Sequence, residues 1–470
     1  MGRRGPEKHQ RYASQRPSGQ ENHRREARRH HRIWAGQGQA GDPVSVRYRP
    51  RWLELVLLLL AGAIVLGGFF LLSTVRHGHL VAGDFRYPAL YVGSTLILSL
   101  WIGRAAPLAD QILLPVVALI SGVGLLVVTR LGDSLGHKQV FWVVLGEVIA
   151  AAILVAPRQV NTLRRYKYTG AFLGLFLIVA TILAGTDING SGYRRWIGFH
   201  GVYFQPVELL KPLMAIFFAA YLDEKRELLA RARLEIGRLT LPPFQYLAPL
   251  VAVWGLSLLL LVRQNDLGSA LLFLGIFLAM IYVGTSRPVY PISGLCMYVV
   301  GVYLAFHIFP HIRARTEVWL DPWAHNAGSG YQLVQGLIAL AVGGIGGQGI
   351  GQGHPALVPV VSTDFILAAI GEELGLAGAA ALIGLLLFLV FRGLTVAMRA
   401  EDGFAKLLAT GLVATLGIQT IVIVGGTTRL MPLTGVPLPF LSYGGSSALA
   451  NYVIIALLLK ISSSTAAQKQ

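Results

Sequence analysis

Hydrophobic residues in this chain form long uninterrupted runs, and most charged residues stand between those runs. A helix of about 20 apolar residues crosses the hydrocarbon core of a bilayer. Twelve runs reach or approach that length, and they lie at 52–75, 88–103, 111–131, 138–156, 169–184, 204–222, 245–262, 267–285, 288–309, 364–391, 404–426 and 444–460. The pattern predicts an all-α polytopic membrane protein with about twelve transmembrane helices.

The composition supports this prediction and excludes several other classes of protein. Of the 470 residues, 54% are hydrophobic and 13% are charged, whereas soluble domains have about 25% charged residues. The mean hydropathy is +0.59. The one cysteine, Cys296, lies inside an apolar run. An intramolecular disulfide and a cysteine-based metal site are therefore excluded.

The net charge of +17 is concentrated in the first 51 residues, which hold 13 Lys or Arg and four Asp or Glu. Residues 1–51 contain too few apolar side chains to form a core, so we expect a disordered basic tail. A basic arm before a first membrane helix is typical of a cytoplasmic anchor that contacts anionic lipid, and we expect no nucleic-acid partner. It is not a signal peptide, because the first apolar run begins only at Trp52 and lacks a cleavage pattern.

The predicted topology places several polar segments on one side of the membrane. With the basic tail inside, twelve spans also put the C-terminal tail, 461–470, in the cytoplasm, and the Lys and Arg of the loops favour the same orientation. Four segments rich in glycine, proline or polar residues then face outward: 185–203, 263–266, 310–363 and 427–443. Irregular backbone at membrane depth must be buried by protein or line a watery cavity. We therefore expect a site on the outer face.

The first candidate group lies in "GSGYRRWIGFHGVYFQPVELLKPL". Arg194, Arg195 and Trp196 precede a span that carries Glu208 and Lys211. The last two are three residues apart, so they share a helical face and can form an ion pair. Ionisable residues inside a span are candidates for a functional site. The alternatives are a structural ion pair and a basic, aromatic anchor at the membrane interface.

The second candidate is Asp266 in "LVRQNDLGSALLF", at the start of the eighth span. A carboxylate at this position can act as a helix N-cap. It can also act as a general base, because partial desolvation would raise its pKa. The neighbouring Arg263 would oppose that shift, so the residues leave both roles open.

The third candidate is the long outer loop, 310–363, together with the residues that follow it. The piece "GGIGGQGIGQG" at 343–353 has too many glycines for an ordinary helix, since each costs about 1 kcal/mol relative to alanine. As a phosphate-binding motif it is weak, because it has no Walker lysine. Asp364, Glu372 and Glu373 follow, and they could be ligands, partners of other charges or contacts between helices.

The fourth candidate is "GTTRLMPLTGVPLPFLSYGGSSALANY", where prolines and small residues predict an irregular segment entering the last span. Ser442, Gly444, Gly445 and Ser446 offer hydroxyl and backbone N–H groups at a helix start, which suits an anion such as phosphate. Close packing of helices through small residues is the alternative.

These pieces, in this order, resemble the SEDS family (shape, elongation, division and sporulation proteins), which includes RodA and FtsW. The resemblance covers about residues 111–460, and its motifs are "GYRRWI", "QPVELLK", "NDLGSAL", "GSGYQ", "STDFILAAIGEELG" and "MPLTGVPLPFLSYGGSS". It implies a ten-helix core, here 104–460 with the extracytoplasmic loop 310–363. The residues 52–103 would then form two additional N-terminal helices, and on that basis we expect a RodA-like protein of cell elongation.

The resemblance also implies roles for individual residues. Asp266 matches the essential aspartate and would be the catalytic base. Residues matching the other motifs would bind substrate: Arg194, Arg195, Trp196, Glu208, Lys211, Gln332, Asp364, Ser442, Gly444, Gly445 and Ser446. Three positions depart from the family pattern, because Asn265 stands where proline is usual, Val207 where serine is common and Ser362 where histidine often occurs.

The activity implied is that of an inverting peptidoglycan glycosyltransferase, which polymerises lipid II on the outer face of a bacterial cytoplasmic membrane. A class B penicillin-binding protein that cross-links the glycan is the expected partner. A divalent cation, Mg²⁺ or Mn²⁺, is a candidate cofactor without assigned ligands. A flippase or transporter for lipid-linked precursors is the main alternative, although the polar groups crowd toward one face. A scaffold that recruits the cross-linking enzyme is a third.

Overall fold

Each of the twelve apolar runs is helical, close to its predicted place. The computed structural model describes residues 51–469 except 157–159, 189, 191, 200–201, 232–233, 237–238 and 242–243. The predicted tail therefore lies outside the described residues, apart from Arg51. The helices are α1 Trp52–His77, α2 Arg86–Ala105, α3 Leu113–Leu131, α4 Asp133–Val155, α5 Thr162–Arg165, α6 Lys167–Ala184, α7 Pro206–Arg231, α8 Phe244–Arg263, α9 Leu267–Thr285, α10 Val289–Ile308, α11 Pro310–Leu320, α12 Tyr331–Gly343, α13 Ile366–Arg399, α14 Gly403–Thr427 and α15 Gly445–Gln468.

The prediction of an all-α membrane protein is confirmed. Within the described part of the chain, nine helices are long and apolar enough to cross a membrane: α1, α3, α4, α6, α9, α10, α13, α14 and α15. The other three predicted spans coincide with α2, α7 and α8. Helix α7 is less apolar because it carries Glu208 and Lys211 and ends in a charged segment, and the apolar part of α8 is only Leu247–Arg263.

The centre of the bundle is formed by α3, α14 and α15. In α3, 89% of the membrane-length segment is buried within the protein, whereas in α10 only 6% is buried. Outer helices such as α1 turn large apolar side chains outward, including Leu59 and Ile64. An apolar surface of this kind is stable only in lipid or against another apolar surface, which agrees with a multi-pass membrane protein.

The predicted outer loop, 310–363, is not wholly irregular, since it contains α11 and α12. Helix α11 begins with Pro310 at its first position, where proline is well tolerated. Helix α12 is apolar but has only 13 residues. At about 1.5 Å per residue it is too short to cross a bilayer, which is why its apolar pattern did not count as a span.

Helix α13 begins at Ile366, two residues later than predicted, and its backbone is interrupted at Gly375 (φ 69°, ψ −174°). The glycine-rich loop at 344–353 fills the interruption. Leu376 N donates to Gly344 O (2.9 Å), and Gln348 N donates to Glu372 O (2.9 Å). The loop therefore bonds with the backbone groups that the interrupted helix leaves free.

The side chains of Glu372 and Glu373 hold this same loop. Glu372 Oε1 accepts from His354 N (2.6 Å), and Glu373 Oε2 accepts from Gly351 N (3.1 Å). The other oxygen of Glu373 pairs with Arg130 at the end of α3 (3.1 Å). Of the roles considered for these two acids, the contacts support that of joining structural elements.

The structure places the boundaries of the two predicted terminal tails differently from the prediction. Helix α15 continues to Gln468, so most of the predicted C-terminal tail, 461–470, is helical and begins with the fully buried Ile461. At the other terminus, Arg51 is 3% exposed. Its guanidinium donates to Glu54 in α1 (Nε to Oε2, 3.0 Å) and to the backbone carbonyl of Ala109 (Nη1, 2.9 Å). Arg51 therefore belongs to the fold rather than to the tail.

The strands of the described part form two short antiparallel hairpins. Strands β1 Ile197–Phe199 and β2 Val202–Phe204 pair Ile197 with Phe204, and strands β3 Leu234–Ile236 and β4 Leu239–Leu241 pair Leu234 with Leu241. The first hairpin lies in the predicted outer loop before α7, next to the candidate site. The second lies in the loop between α7 and α8.

Candidate active site

The four candidate segments meet at one cavity of about 1110 Å³. Its walls come from the starts of α4, α7, α9 and α15, from α11 and α12, and from the β1–β2 hairpin. Of the twelve predicted site residues, nine line this cavity: Arg195, Trp196, Glu208, Asp266, Gln332, Asp364, Gly444, Gly445 and Ser446. The other three, Arg194, Lys211 and Ser442, do not line it.

Asp266 is the N-cap of α9, and it also faces the cavity. Its Oδ1 accepts from Ser269 N (3.0 Å), its Oδ2 accepts from Ser269 Oγ (2.8 Å), and the residue is 7% exposed. The N-cap expectation is confirmed. Because the capping bonds fix the carboxylate at the edge of a large cavity, the same residue is also positioned to take a proton from a bound molecule.

The backbone before Asp266 forms a Schellman motif that ends α8. Asn265 has φ 55°, its N–H donates to Val262 O (2.9 Å), and Asp266 N donates to Leu261 O (2.9 Å). Asparagine tolerates this left-handed conformation better than most residues. Proline, which is usual at this position in SEDS proteins, has neither the N–H nor access to a positive φ. Asn265 therefore permits a turn that proline would not.

The paired arginines have different surroundings. Arg195 lies beside Asp266, because its Nε donates to Gln264 O (3.1 Å) and its Nη2 donates to Asn265 O (3.1 Å) at the end of α8. A cation is favourable at a helix C-terminus, where carbonyl groups are free. Arg194 instead donates to Leu183 O at the end of α6 (2.8 Å). The cavity thus receives one of the two guanidinium groups.

Glu208 and Lys211 form the predicted ion pair on α7. Lys211 Nζ donates to Glu208 Oε2 (2.8 Å) and to Gln419 Oε1 on α14 (3.1 Å), and Lys211 is 1% exposed. The amide of Gln419 in turn donates to Pro437 O (2.6 Å). The expected ion pair is therefore present, with Lys211 joining α7 to α14, while Glu208 also lines the cavity.

The segment between α14 and α15 is irregular, as predicted, and it presses against the first turn of α9. A Cβ atom at Gly268 would lie 2.5 Å from Thr434 O, so only glycine fits there. Ser442 joins this segment to the residues before Asp364, because its Oγ donates to Thr363 O (2.5 Å). Ser442 therefore supports the wall that carries Asp364 rather than facing the cavity.

Strained backbone occurs in the cavity wall and in the segment next to it, and also at Ser286, at the opposite end of α9. Five non-glycine residues in the described part have positive φ. Asn265 and Val360 line the cavity, and Arg429 and Phe440 lie in the segment between α14 and α15. A left-handed β-branched residue such as Val360 (φ 54°) is rare. Strained backbone of this kind is typical of sites that the surrounding fold holds in place.

The first turn of α15 presents backbone N–H groups to the cavity. Gly444 is its N-cap without a side-chain cap, and the first helical bond is Ala448 N to Gly444 O (2.9 Å). Gly445 packs directly against Trp142, since a Cβ there would lie 2.2 Å from the indole ring. The alternative of close packing is therefore observed at Gly445, and the free N–H groups of the first turn keep anion binding as a prediction.

Asp364 and Arg315 add a third carboxylate, after Asp266 and Glu208, and a second guanidinium to the cavity. The pKa of Asp364 is raised to about 6, because burial and then the charge of Asp266 raise it by more than the hydrogen bond of Thr363 and the charges of Arg195 and Arg315 lower it. Burial and the charge of Arg195 lower the pKa of Arg315, and Asp266 and Asp364 raise it. Charges of both signs therefore act on one another across the cavity.

Sequence reasoning missed several residues of the cavity wall. They include Arg315 and Trp319 on α11, His137, Lys138 and Trp142 at the start of α4, and Tyr203 and Gln205 around the hairpin. Tyr203 and Gln205 lie in the first quoted segment, and Arg315 and Trp319 lie in the loop 310–363, but none of them was singled out there. Cation and aromatic residues at the ends of spans were the available signal, but such residues are also common as interface anchors.

Comparisons with known proteins agree with these observations. The FtsW, RodA and SpoVE family model, described as "Cell cycle protein", matches residues 106–467. The peptidoglycan glycosyltransferase RodA of Mycobacterium tuberculosis is 43% identical over 372 residues, which cover 77% of this chain and 79% of the relative. The probable peptidoglycan glycosyltransferase FtsW of Geobacter metallireducens is 34% identical over 328 residues, covering 69% and 84%.

A solved structure extends the likeness to three dimensions. The chain resembles one from a study of the "structural coordination of polymerization and crosslinking by a peptidoglycan synthase complex", with a TM-score of 0.63 and 26% identity. The match covers 76% of this chain and 98% of the other. Helices α1 and α2 precede the residues matched by the family model. The chain therefore belongs to the FtsW, RodA and SpoVE family of cell cycle proteins.

Proposed function

We propose that this protein is a peptidoglycan glycosyltransferase that polymerises lipid II into glycan strands, in the manner of its RodA relatives. The observation that carries the proposal is the cavity itself, which is lined by the carboxylate residue Asp266, by Arg195 and by the N-terminus of α15. A glycosyl transfer that expels pyrophosphate needs a base for the attacking hydroxyl and positive charge for the departing pyrophosphate. The cavity provides both within a family of this activity.

The reaction is a single inverting displacement. The 4-hydroxyl oxygen of the GlcNAc of one lipid II attacks the anomeric carbon of MurNAc at the end of the growing chain. The new C–O bond forms as the bond to undecaprenyl pyrophosphate breaks, and the hydroxyl proton passes to Asp266. One base suffices, because inversion needs no covalent intermediate on the enzyme. The bonds from Ser269 hold the carboxylate in one orientation.

Several cationic groups could stabilise the departing pyrophosphate, and their contacts in the structure favour one of them. Arg195 lines the cavity beside Asp266, and the electron pair that leaves with the pyrophosphate is best stabilised by a fixed cation of this kind. Arg194 does not line the cavity and donates instead to Leu183 O, and Lys211 is buried between Glu208 and Gln419. We therefore assign Arg195 and the α15 N-terminus to the pyrophosphate, and Lys211 to the support of Glu208.

A divalent cation, Mg²⁺ or Mn²⁺, remains part of the proposal. The described residues contain no group of three or more His, Cys, Asp or Glu side chains arranged to hold a metal ion. Mg²⁺ is often held by one or two carboxylates together with substrate phosphates, and Asp364 fits that role. Such an ion would neutralise charge on the pyrophosphate.

We also propose the cellular setting. The basic tail and the C-terminus would lie in the cytoplasm, and the cavity would open at the outer face of the cytoplasmic membrane. A class B penicillin-binding protein would cross-link the product, as suggested by the peptidoglycan synthase complex to which the chain is similar. The identity with mycobacterial RodA favours cell elongation, and the likeness to FtsW keeps division as the alternative.

The alternative of a flippase or transporter is less well supported. Alternating access needs a site near the bilayer midplane that opens to both sides. The charged residues of the cavity come from the ends of helices and from the connecting segments at one end of the bundle. That placement favours chemistry at one membrane face.

The proposal is tested with purified protein, its penicillin-binding partner, labelled lipid II and a divalent cation, with glycan polymer resolved on a gel. We expect polymer from the wild type and a rate about 10³-fold lower from Asp266→Asn, which keeps the N-cap but lacks the base. Polymer from this variant at the wild-type rate would exclude Asp266 as the base. Movement of lipid across liposome membranes without polymer would instead favour the flippase.

A further inference from the structure

Helix α11 covers one side of the cavity without being packed into the core. None of its residues is fully buried. His311, Arg315 and Trp319, spaced four apart, are half-buried, whereas Arg313 and Glu317 are exposed. Residues four apart share a helical face, and Arg315 and Trp319 line the cavity. One face of α11 thus turns toward the cavity and the other turns away.

A reciprocal contact fixes the C-terminal end of α11. Trp319 Nε1 donates to Arg429 O (3.0 Å), and Arg429 Nε donates to Trp319 O (3.0 Å). Arg429 also donates to Leu320 O, so its guanidinium caps the last carbonyls of the helix. Arg429 itself has φ 62°. A strained residue therefore fixes the end of α11 one turn after Arg315.

Arg315 differs from Arg195 in its bonding. Two backbone carbonyls occupy the guanidinium of Arg195, whereas among the described residues that of Arg315 makes no hydrogen bond. The charges acting on Arg315 are those of Asp266, Asp364 and Arg195. With Glu208 neutralised by Lys211, removing Arg315 would leave two carboxylates against the guanidinium of Arg195 and the ammonium of Lys138, which also lines the cavity. The cavity would then lose the net positive charge that attracts a pyrophosphate.

We propose that Arg315 is a second pyrophosphate-binding catalytic residue, held over the reaction centre by the contact between Trp319 and Arg429. The inference rests on the proposed function and extends it to a residue outside the recognised motifs. When the bond between the MurNAc anomeric carbon and the phosphate oxygen breaks, its electron pair stays on the pyrophosphate. The proton of the attacking hydroxyl goes to Asp266. The five N–H donors of Arg315 remain available to the departing oxygens.

The first test is a binding experiment that needs no turnover. The affinities of wild type, Arg315→Ala and Arg315→Lys for undecaprenyl pyrophosphate and undecaprenyl phosphate are measured in detergent micelles. We expect Arg315→Ala to weaken pyrophosphate binding about tenfold, with a smaller loss for the monophosphate and for lysine. Arg313→Ala, two residues away on the exposed face, is the matched control and should bind like the wild type.

The second test is a double-mutant cycle of polymerisation rates. We expect Arg315→Ala to lower kcat about 100-fold, the effect of one lost oxyanion donor, and Arg429→Ala to lower it about tenfold through displacement of Arg315. If Arg429 acts through Arg315, Arg315→Ala/Arg429→Ala is no slower than Arg315→Ala alone. Thermal unfolding of each variant establishes that it is folded.

The outcomes separate the two proposals. Wild-type affinity and rate in Arg315→Ala would overturn the assignment of Arg315. An Arg429→Ala effect of the same size in both backgrounds would overturn the positioning role. If the wild type itself makes no polymer, the proposed function fails, and the loss of pyrophosphate affinity alone then decides whether Arg315 binds this group.

Discussion

The molecule buries charged side chains at both ends of the bundle, and the two clusters differ in how much of their bonding capacity is used. In the first cluster, Arg51 binds Glu54 and the carbonyls that connect α2 to α3, and Ser99 donates to the other oxygen of Glu54. In the cavity, Arg195 and Asp266 are also fixed, but both line about 1110 Å³ of open space. Burial is common to both, so burial alone does not mark a functional charge.

The physical distinction lies in what a ligand can still reach. A buried ion pair contributes little net stability, yet removing one partner leaves an uncompensated charge at a cost of about 3–5 kcal/mol. Substitutions in the Arg51 cluster should therefore lower the free energy of unfolding. The cavity groups are held by neighbours but remain accessible to a ligand, so substitutions there should lower the rate of polymerisation.

The sharpest test of this distinction is Asp266→Asn. We expect polymerisation to fall by about 10³-fold through loss of the base, while the thermal unfolding midpoint changes little because asparagine is an equally good N-cap. Ser269→Ala is the matched variant. It removes one hydrogen bond to the same carboxylate, and the rate should fall only about fivefold. Equal losses in the two variants would contradict the assignment of Asp266 as base.

The opposite response is expected from Glu54→Gln. Arg51 would lose its carboxylate partner in a site where both residues are at most 3% exposed, and the free energy of unfolding should fall by about 3 kcal/mol. Polymerisation per folded molecule should not change. The measurement is equilibrium unfolding in mixed micelles.

Glu224→Gln is the control for that prediction. It disrupts a more exposed ion pair with Lys167 and should cost less than about 1 kcal/mol. A Glu54→Gln variant that is as stable as this control, or that loses activity while folded, would remove the distinction between the two clusters.

Asn265→Pro tests whether the cavity depends on the turn before Asp266. Proline removes the N–H that donates to Val262 O and cannot adopt φ 55°. We expect a loss of about 2 kcal/mol in unfolding free energy and a lower kcat, because Asp266 follows directly. Asn265→Gly keeps the left-handed conformation and should remain within about 1 kcal/mol of the wild type. If the proline variant matched the glycine variant in both measurements, the turn would have no part in positioning Asp266.

The helices were predictable because a membrane span leaves a strong pattern, a long run without charge. The additional helices of the outer loop were not, since α11 is short and amphipathic and α12 is shorter than a span. Asp266 and Glu208 stood out because ionisable residues are rare within spans. Arg51 and Glu54 did not, because charges at the end of a span are ordinary.

The sequence predicted which residues belong to the site better than it predicted how those residues are arranged. The sequence could not decide between Arg194 and Arg195, because neighbouring residues in extended chain point to opposite sides and the hairpin decides which one faces the cavity. Arg315 was missed because its approach to Asp266 depends on the contact of α11 with Arg429, 114 positions further along the chain. Tertiary contacts of that separation leave no local pattern.

The smallest expected effect is the change of pyrophosphate affinity with pH, which depends on a charge within the cavity. The pKa of Asp364 is raised to about 6, so this carboxylate is charged above pH 6 and gains a proton as the pH falls below it. The cavity then loses one negative charge. With no divalent cation present, we expect wild-type protein to bind undecaprenyl pyrophosphate about fivefold more tightly at pH 5.5 than at pH 7.5, the effect of one nearby charge at intermediate dielectric.

The pyrophosphate also titrates, so the comparison is made with Asp364→Asn, which carries no charge at either pH and reports the ligand's own contribution. The fivefold difference should appear as the ratio of the two proteins' affinities, large at pH 7.5 and close to one at pH 5.5. A ratio that does not change with pH would mean that Asp364 keeps its charge over this range. Its carboxylate would then be compensated by Arg195 and Arg315 as completely as Glu54 is by Arg51, and the cavity would not hold the unbalanced charge that distinguishes it from the closed cluster.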